Sequence, residues 1–212
     1  MGGATFPSAW RFTFAPLTPM LFPRPAIART PMSNLEELKY TRVEHERRFL
    51  VSPASNWRDS VEAYSKLFED NYIHGTRLRL RILTDSDTGR RVIKLTKKSE
   101  SSSPYFRTIS RIILSPAEYE ILDRLEGDRL TKTRHYLSYL GRTFSIDVFE
   151  GELEGLVLCE TEADGLEGLM SIEPPSYATH EVTEDPFFAG GSLCRVTRAE
   201  LMKKLSIFGE HI

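Results

Sequence analysis

Arginine recurs at every second position in Arg77-Leu78-Arg79-Leu80-Arg81. The same spacing returns at Lys94, Thr96 and Lys98, and again at Lys132 and Arg134. On a strand, residues i, i+2 and i+4 share one face, so each run sets a row of cations opposite a second row. A guanidinium fork matches phosphate oxygens two at a time, and lysine adds a compact point charge. Such rows would grip a linear polyphosphate. Acids with the same spacing lie far apart in the chain, Glu44 with Glu46 and Glu160 with Glu162. Four carboxylates on two strands that close against each other would make an oxygen-ligand site for Mg²⁺ or Mn²⁺. The alternative is that these acids simply pair with the arginines and that the rows are a solvated sheet face.

Rows of this kind need strands to hold them, and period two dominates from Tyr40 onward. Glu44, Glu46 and Arg48 alternate with Val43, His45, Arg47 and Phe49. Phe144, Ile146 and Val148 alternate with Ser145, Asp147 and Phe149, and Leu156, Leu158 and Glu160 with Val157, Cys159 and Thr161. Turn signals at Asp87-Thr88-Gly89, Gly141-Arg142 and Glu154-Gly155 separate the runs. Several strands with one charged and one apolar face predict an α+β protein, a closed antiparallel β-barrel with a polar interior and helices outside. Ser115-Pro116-Ala117-Glu118 is a capping box with proline at the first helical position, predicting a helix to about Leu125 that stops at Gly127. Thr197-Arg198-Ala199-Glu200 is a second, opening a helix through about Ile207. Trp57, Val61, Tyr64 and Phe68 predict a further helix over Asn56 to Phe68.

The chain has 212 residues, 40% hydrophobic and 27% charged, the proportions of one globular domain. No stretch reaches the roughly 18 apolar residues of a spanning helix, so no membrane partner is expected. Two cysteines, Cys159 and Cys194, make neither a disulfide scaffold nor a four-ligand zinc site and suit a cytoplasmic setting. The net charge of −2 conceals a segregation. Residues 72–111 hold ten Lys/Arg against three Asp/Glu, and residues 144–212 hold four against fourteen. No P-loop, nucleophile elbow or RNP-like aromatic strand appears, so nucleic acid is not expected as a partner. His45 reads as packed on the outer face, Cys159, in an apolar run, as an inert core residue, and His74, beside Gly75, as a turn residue. Residues 1–31 carry Arg11, Arg24 and Arg29, no acid and six prolines. They read as a disordered tail, with an extension upstream of a start at Met32 or a transit peptide as rivals. The domain then spans 32–212.

The residues from about Tyr40 to Leu193 resemble the CYTH family, the triphosphate tunnel metalloenzymes. Glu44-His45-Glu46-Arg47-Arg48-Phe49 is similar to its E-x-E-x-K signature, Arg77 to Arg81 to its R-x-R strand and Ile93 to Lys98 to its lysine strand. Lys132-Thr133-Arg134 resembles the K-x-R strand, Ile146 to Gly151 the D-x-F strand and Gly155 to Glu162 the second E-x-E strand. The resemblance implies an eight-stranded tunnel and a metal-dependent hydrolase of inorganic tripolyphosphate or a small organic triphosphate, monomeric or homodimeric. Glu44, Glu46, Glu160 and Glu162 would hold Mg²⁺ or Mn²⁺. Arg77, Arg79, Arg81, Lys94, Lys98, Lys132 and Arg134 would contact phosphate, Glu46 and Arg48 would take part in catalysis, and Asp147 would support the site. Thiamine triphosphatase and adenylate cyclase are rivals within the family. Arg48 replaces the signature lysine and cannot give up its proton near neutral pH, which admits a catalytically weak polyphosphate- or nucleotide-binding module as a further reading. The strand Arg107 to Arg111 also lacks the glutamates that many members carry.

Overall fold

Alternating side chains over Thr41–Val51 form strand β1, and the same pattern produces β3 (Leu78–Asp85), β4 (Arg91–Lys98) and β5 (Phe106–Leu114) in a computed structural model that describes residues 41–52 and 54–209. Strands β6 (Gly127–Tyr139), β7 (Arg142–Phe149) and β8 (Val157–Ala163) follow the later alternations. The expectations for residues 1–31, and for a boundary at residue 32, lie outside the described residues.

The helix expected over Asn56 to Phe68 is not formed. A single 3-10 turn, Trp57–Ser60, is followed by strand β2, Ser65–Ile73. Trp57 is buried on the outside of the barrel, its ring 5.6 Å from that of His135. Phe68, Asp70 and Tyr72 then repeat every second residue, and β2 bonds to β3 on one edge and β6 on the other. Two ladders of backbone hydrogen bonds outweigh a local helical spacing.

The strands run antiparallel in the order β5-β4-β3-β2-β6-β7-β8-β1, and β5 pairs back onto β1 to close eight strands into a ring. One edge of β1 is divided. Thr41 to His45 pair with β5, and Phe49 to Val51 pair with a ninth strand, β9 (Ala178–Glu181). The other edge bonds β8. Gly127 opens β6 where a Cβ would lie 2.0 Å from Asn71 Oδ1 and 2.6 Å from the Tyr72 carbonyl oxygen, so only glycine admits this approach.

Helix α1 (Pro116–Leu122) carries the expected capping box, Ser115 with Glu118, and ends a turn earlier than predicted. Helix α2 (Leu166–Met170) packs on the outer face, where Phe49, Ile146, Val157, Cys159 and Leu169 form one core. The inward Leu50, Leu130, Phe149 and Leu158 close one end of the barrel together with Phe188 and Leu193. Leu193 ends α3 (Gly190–Leu193), and α4 (Arg198–Ser206), capped by Thr197 and Glu200, adds Leu201 and Leu205 to this cluster. Fully burying one such leucine is worth about 1.5–3 kcal/mol, which anchors the C-terminal segment on that end of the lumen.

Candidate active site

Strand pairing brings the two acid pairs together. Glu46 lies opposite Glu162 and Arg48 opposite Glu160 across β1 and β8, so both strands present their acids to the lumen. The cavity there has a volume of about 100 Å³ and is lined by seven cations, Arg48, Arg79, Arg81, Lys98, Arg111, Lys132 and Arg134, against the carboxylates of Glu44, Glu46, Glu160 and Glu162.

The four glutamates occupy unlike environments. Burial works to raise the Glu160 pKa, but Lys132 and Arg134, with Arg48 and Lys98, hold it far below the usual carboxylate range. Arg134 donates directly to its carboxylate, and Arg48 Nε is 3.9 Å away. Glu44 accepts from Arg42 at 2.8 Å and Arg111 at 3.1 Å, and its pKa is lowered against burial by Lys98 and these arginines. Glu162 is pushed up by burial and by the Glu44 and Glu46 charges, with Arg42 as its ion-pair partner at 3.1 Å. Glu46 accepts from Arg48 Nε at 2.5 Å. Glu160 therefore serves as a counter-ion to the arginines, while Glu44, Glu46 and Glu162 crowd one another.

Two deeper carboxylates aim the cations. Asp147, fully buried, accepts from Lys132 and from Arg134 Nε and Nη2, the last two at 2.6 Å. Asp70 accepts Arg81 in a two-point fork at 2.5 and 2.6 Å, with Arg79 at 3.9 Å. Burial would raise the Asp70 pKa, but Arg81 and Arg79 lower it. Phe68 lies beneath three of these cations, with Arg81, Arg134 and Lys132 at 4.5, 5.1 and 5.8 Å from its ring centre. Burial is the main cause that brings the Lys98 pKa down to about 8, with Glu46 and Glu44 opposing it and Arg79 adding to it. Across β3 and β4, Arg79 Nε and Thr96 Oγ1 are buried without a hydrogen-bond partner.

Most of the predicted residues meet in this cavity, but Arg77, Lys94 and Asp147 do not line it, Asp147 lying deeper behind Lys132 and Arg134. Arg77 precedes β3, pairs with Glu100 at 2.9 Å and lines a neighbouring cavity. Lys94 shares its face with Thr96 and Lys98 but does not line the central cavity. The register places Lys97 on the outer face, opposite Leu78. Arg111 and Tyr72, which line the cavity, and Asp70, which holds Arg81 beneath it, were not among the predicted residues. Arg111 was legible in the Arg107-x-Ile109-x-Arg111 alternation, whereas Asp70 and Tyr72 lie just past the Asn56 to Phe68 segment read as a helix, in a stretch assigned to no element. His45 packs outside near Phe106, and His74 bonds Asp128 at 2.9 Å in the turn. Burial pushes the Cys159 thiol up to about 12.

The inorganic triphosphatase of Nitrosomonas europaea is 33% identical over 163 residues, 71% of this chain and 95% of that protein. This chain belongs to the CYTH family. A second CYTH relative, the inorganic triphosphatase of Acetivibrio thermocellus, is 29% identical over 72% of this chain and 93% of its own length. A solved crystal structure of an inorganic triphosphatase superposes on this CYTH chain with a TM-score of 0.50 at 26% identity, covering 72% of this chain and 98% of the other. No protein-family model matches the chain.

The donor chemistry of the lumen suits a hard divalent cation. Carboxylate oxygens are the ligands that Mg²⁺ and Mn²⁺ prefer, and Glu162, whose pKa is raised by burial and then by the Glu44 and Glu46 charges, stands where a cation would offset that crowding. Among the described residues no three His, Cys, Asp or Glu side chains are already gathered into a metal cage. Mg²⁺ does not require one, since it usually takes one or two carboxylates together with waters and substrate phosphates. Among the described residues no helix is long and apolar enough to cross a membrane.

Proposed function

We propose that this CYTH chain hydrolyses inorganic triphosphate within the barrel, with Mg²⁺ or Mn²⁺ held by Glu44, Glu46 and Glu162. The observation that carries this reading is the lumen itself, in which seven cations and four carboxylates line one cavity. The two curated relatives, named as inorganic triphosphatases and matched over nearly their whole length, support it. Arg79, Arg81, Lys98, Lys132, Arg134 and Arg111 would hold the phosphate oxygens, exchanging part of their pairing with Asp70, Asp147 and Glu160 for the substrate. Lys94, further along the row of Lys98, would meet the anion outside the central cavity. Glu46, oriented by Arg48, would accept a hydrogen bond from the attacking water. The water oxygen would bond to the terminal phosphorus as the bridging P–O bond breaks, its electron pair leaving on the pyrophosphate oxygen and the water proton passing by way of Glu46 to a product phosphate oxygen or solvent, which releases orthophosphate and pyrophosphate. The cation would neutralise charge on the transferring group. Arg48 remains protonated throughout and acts by position and charge.

Phosphate release by the full chain tests this reading. Tripolyphosphate, thiamine triphosphate and ATP would each be offered with Mg²⁺, Mn²⁺ or EDTA, to the parent and to Glu44→Gln and Arg48→Lys variants. Metal-dependent release from tripolyphosphate, lost in Glu44→Gln, is expected. Binding without release in the parent, with release in Arg48→Lys, would instead make the chain a triphosphate binder.

A further inference from the structure

We infer that the cavity beyond Tyr72 is an additional phosphate subsite, through which this protein binds polyphosphate chains longer than three units. The inference rests on the triphosphate reading of the lumen and extends it. This second cavity measures about 290 Å³, the liquid volume of about ten waters, and is larger than the central one. Tyr72, Arg79 and Lys98 line both cavities and form a shared wall. Beyond that wall stand three further cations, Arg77, Arg107 and Arg195.

The two compartments differ in kind. The central one mixes acids with cations, as a site for both metal and phosphate must. Among the described residues no carboxylate lines the second. Five cations with no acid suit phosphate alone. Two of the outer arginines pair only at the surface, Arg77 with Glu100 at 2.9 Å and Arg195 with Asp128 at 3.0 Å, and their side chains are 45% and 69% exposed. Exposed pairs of this type hold weakly and exchange readily for a polyanion. At the shared wall, Arg79 is 8% exposed and its Nε has no hydrogen-bond partner. A buried donor in that condition costs free energy until an acceptor arrives. A phosphate bridging from one cavity into the other would supply one.

The joint is narrow. A Cβ on Gly190 would lie 2.2 Å from the Tyr72 hydroxyl, so the tyrosine rests directly against the α3 backbone. A thin, flexible phosphate chain suits such a joint better than a ring system, which commits the subsite to inorganic polyphosphate over a nucleoside.

Calorimetric titration of the full chain in EDTA, with tripolyphosphate, tetrapolyphosphate and ATP, tests the inference. The parent is expected to bind tetrapolyphosphate about tenfold more tightly than tripolyphosphate, the gain from one additional charged contact. An Arg107→Ser/Arg195→Ser double variant should lose that preference and keep its tripolyphosphate affinity. Arg195→Ser alone should lose part of it, which keeps the test open if the double variant does not fold. If tripolyphosphate binds and chain length makes no difference, the subsite is refuted while the lumen reading stands. Tightest binding of ATP, lost in the same variants, also refutes it by giving the cavity to a nucleoside. If nothing binds the parent in EDTA, the subsite is refuted, and the lumen reading falls with it only when Mg²⁺ or Mn²⁺ also gives no phosphate release.

Discussion

Replacing Asp70 by asparagine separates what the buried acids do for stability from what they do to phosphate affinity. The carboxylate is completely buried and holds Arg81 through two hydrogen bonds, at 2.5 and 2.6 Å, with Arg79 at 3.9 Å. Removing one partner of a buried ion pair costs about 3–5 kcal/mol, because the other charge stays behind. Asparagine preserves the volume and one acceptor oxygen, which places the expected loss near the lower end, about 3 kcal/mol. For a domain of this size each kcal/mol moves the melting temperature by about 2–4 °C, so thermal unfolding followed by circular dichroism should shift down by about 6–12 °C. The folded Asp70 pKa is lowered, so its contribution is present above the ordinary aspartate value and lost as pH falls through the folded one. The difference between parent and variant should therefore shrink on acidification. The same change removes a negative charge from beneath the lumen and releases Arg81 and Arg79, so tripolyphosphate should bind the variant more tightly. A melting temperature within about 2 °C of the parent would refute the stability argument. Weaker tripolyphosphate binding would refute the view that Asp70 competes with phosphate for these arginines.

Asp85, held by the Tyr64 hydroxyl and by the Thr88 amide and hydroxyl, titrates at about 2. Its contribution to stability is present above the ordinary aspartate pKa and lost as pH falls toward 2, and carboxyl-carbon NMR should show the midpoint moving up in Tyr64→Phe; an unmoved midpoint counts against this hydrogen bond. Gly190→Ala should destabilise by about 1–3 kcal/mol through its clash with the Tyr72 hydroxyl. Adding Tyr72→Phe should restore most of the loss in urea unfolding, and failure to do so would place the strain elsewhere.

The sequence by itself determined the strand faces. Alternation is a local property, so Glu44 with Glu46, Arg79 with Arg81, Lys132 with Arg134 and Glu160 with Glu162 could be assigned to common faces before any fold was known. The capping boxes at Ser115 and Thr197 were equally legible, because a cap involves only residues three apart. Tertiary structure alone decided which faces meet. The β1–β8 register sets Arg48 opposite Glu160 and makes that glutamate an arginine counter-ion, distinct from the three that crowd together. Ring closure puts Arg111 into the lumen and leaves Arg77 at its margin. Segment 56–68 misled because Trp57, Val61, Tyr64 and Phe68 share a helical spacing, yet Phe68 begins the alternation with Asp70 and Tyr72 on a strand between β3 and β6. Partners many residues away set that choice, since a barrel closes only when each strand has hydrogen-bonded neighbours on both edges.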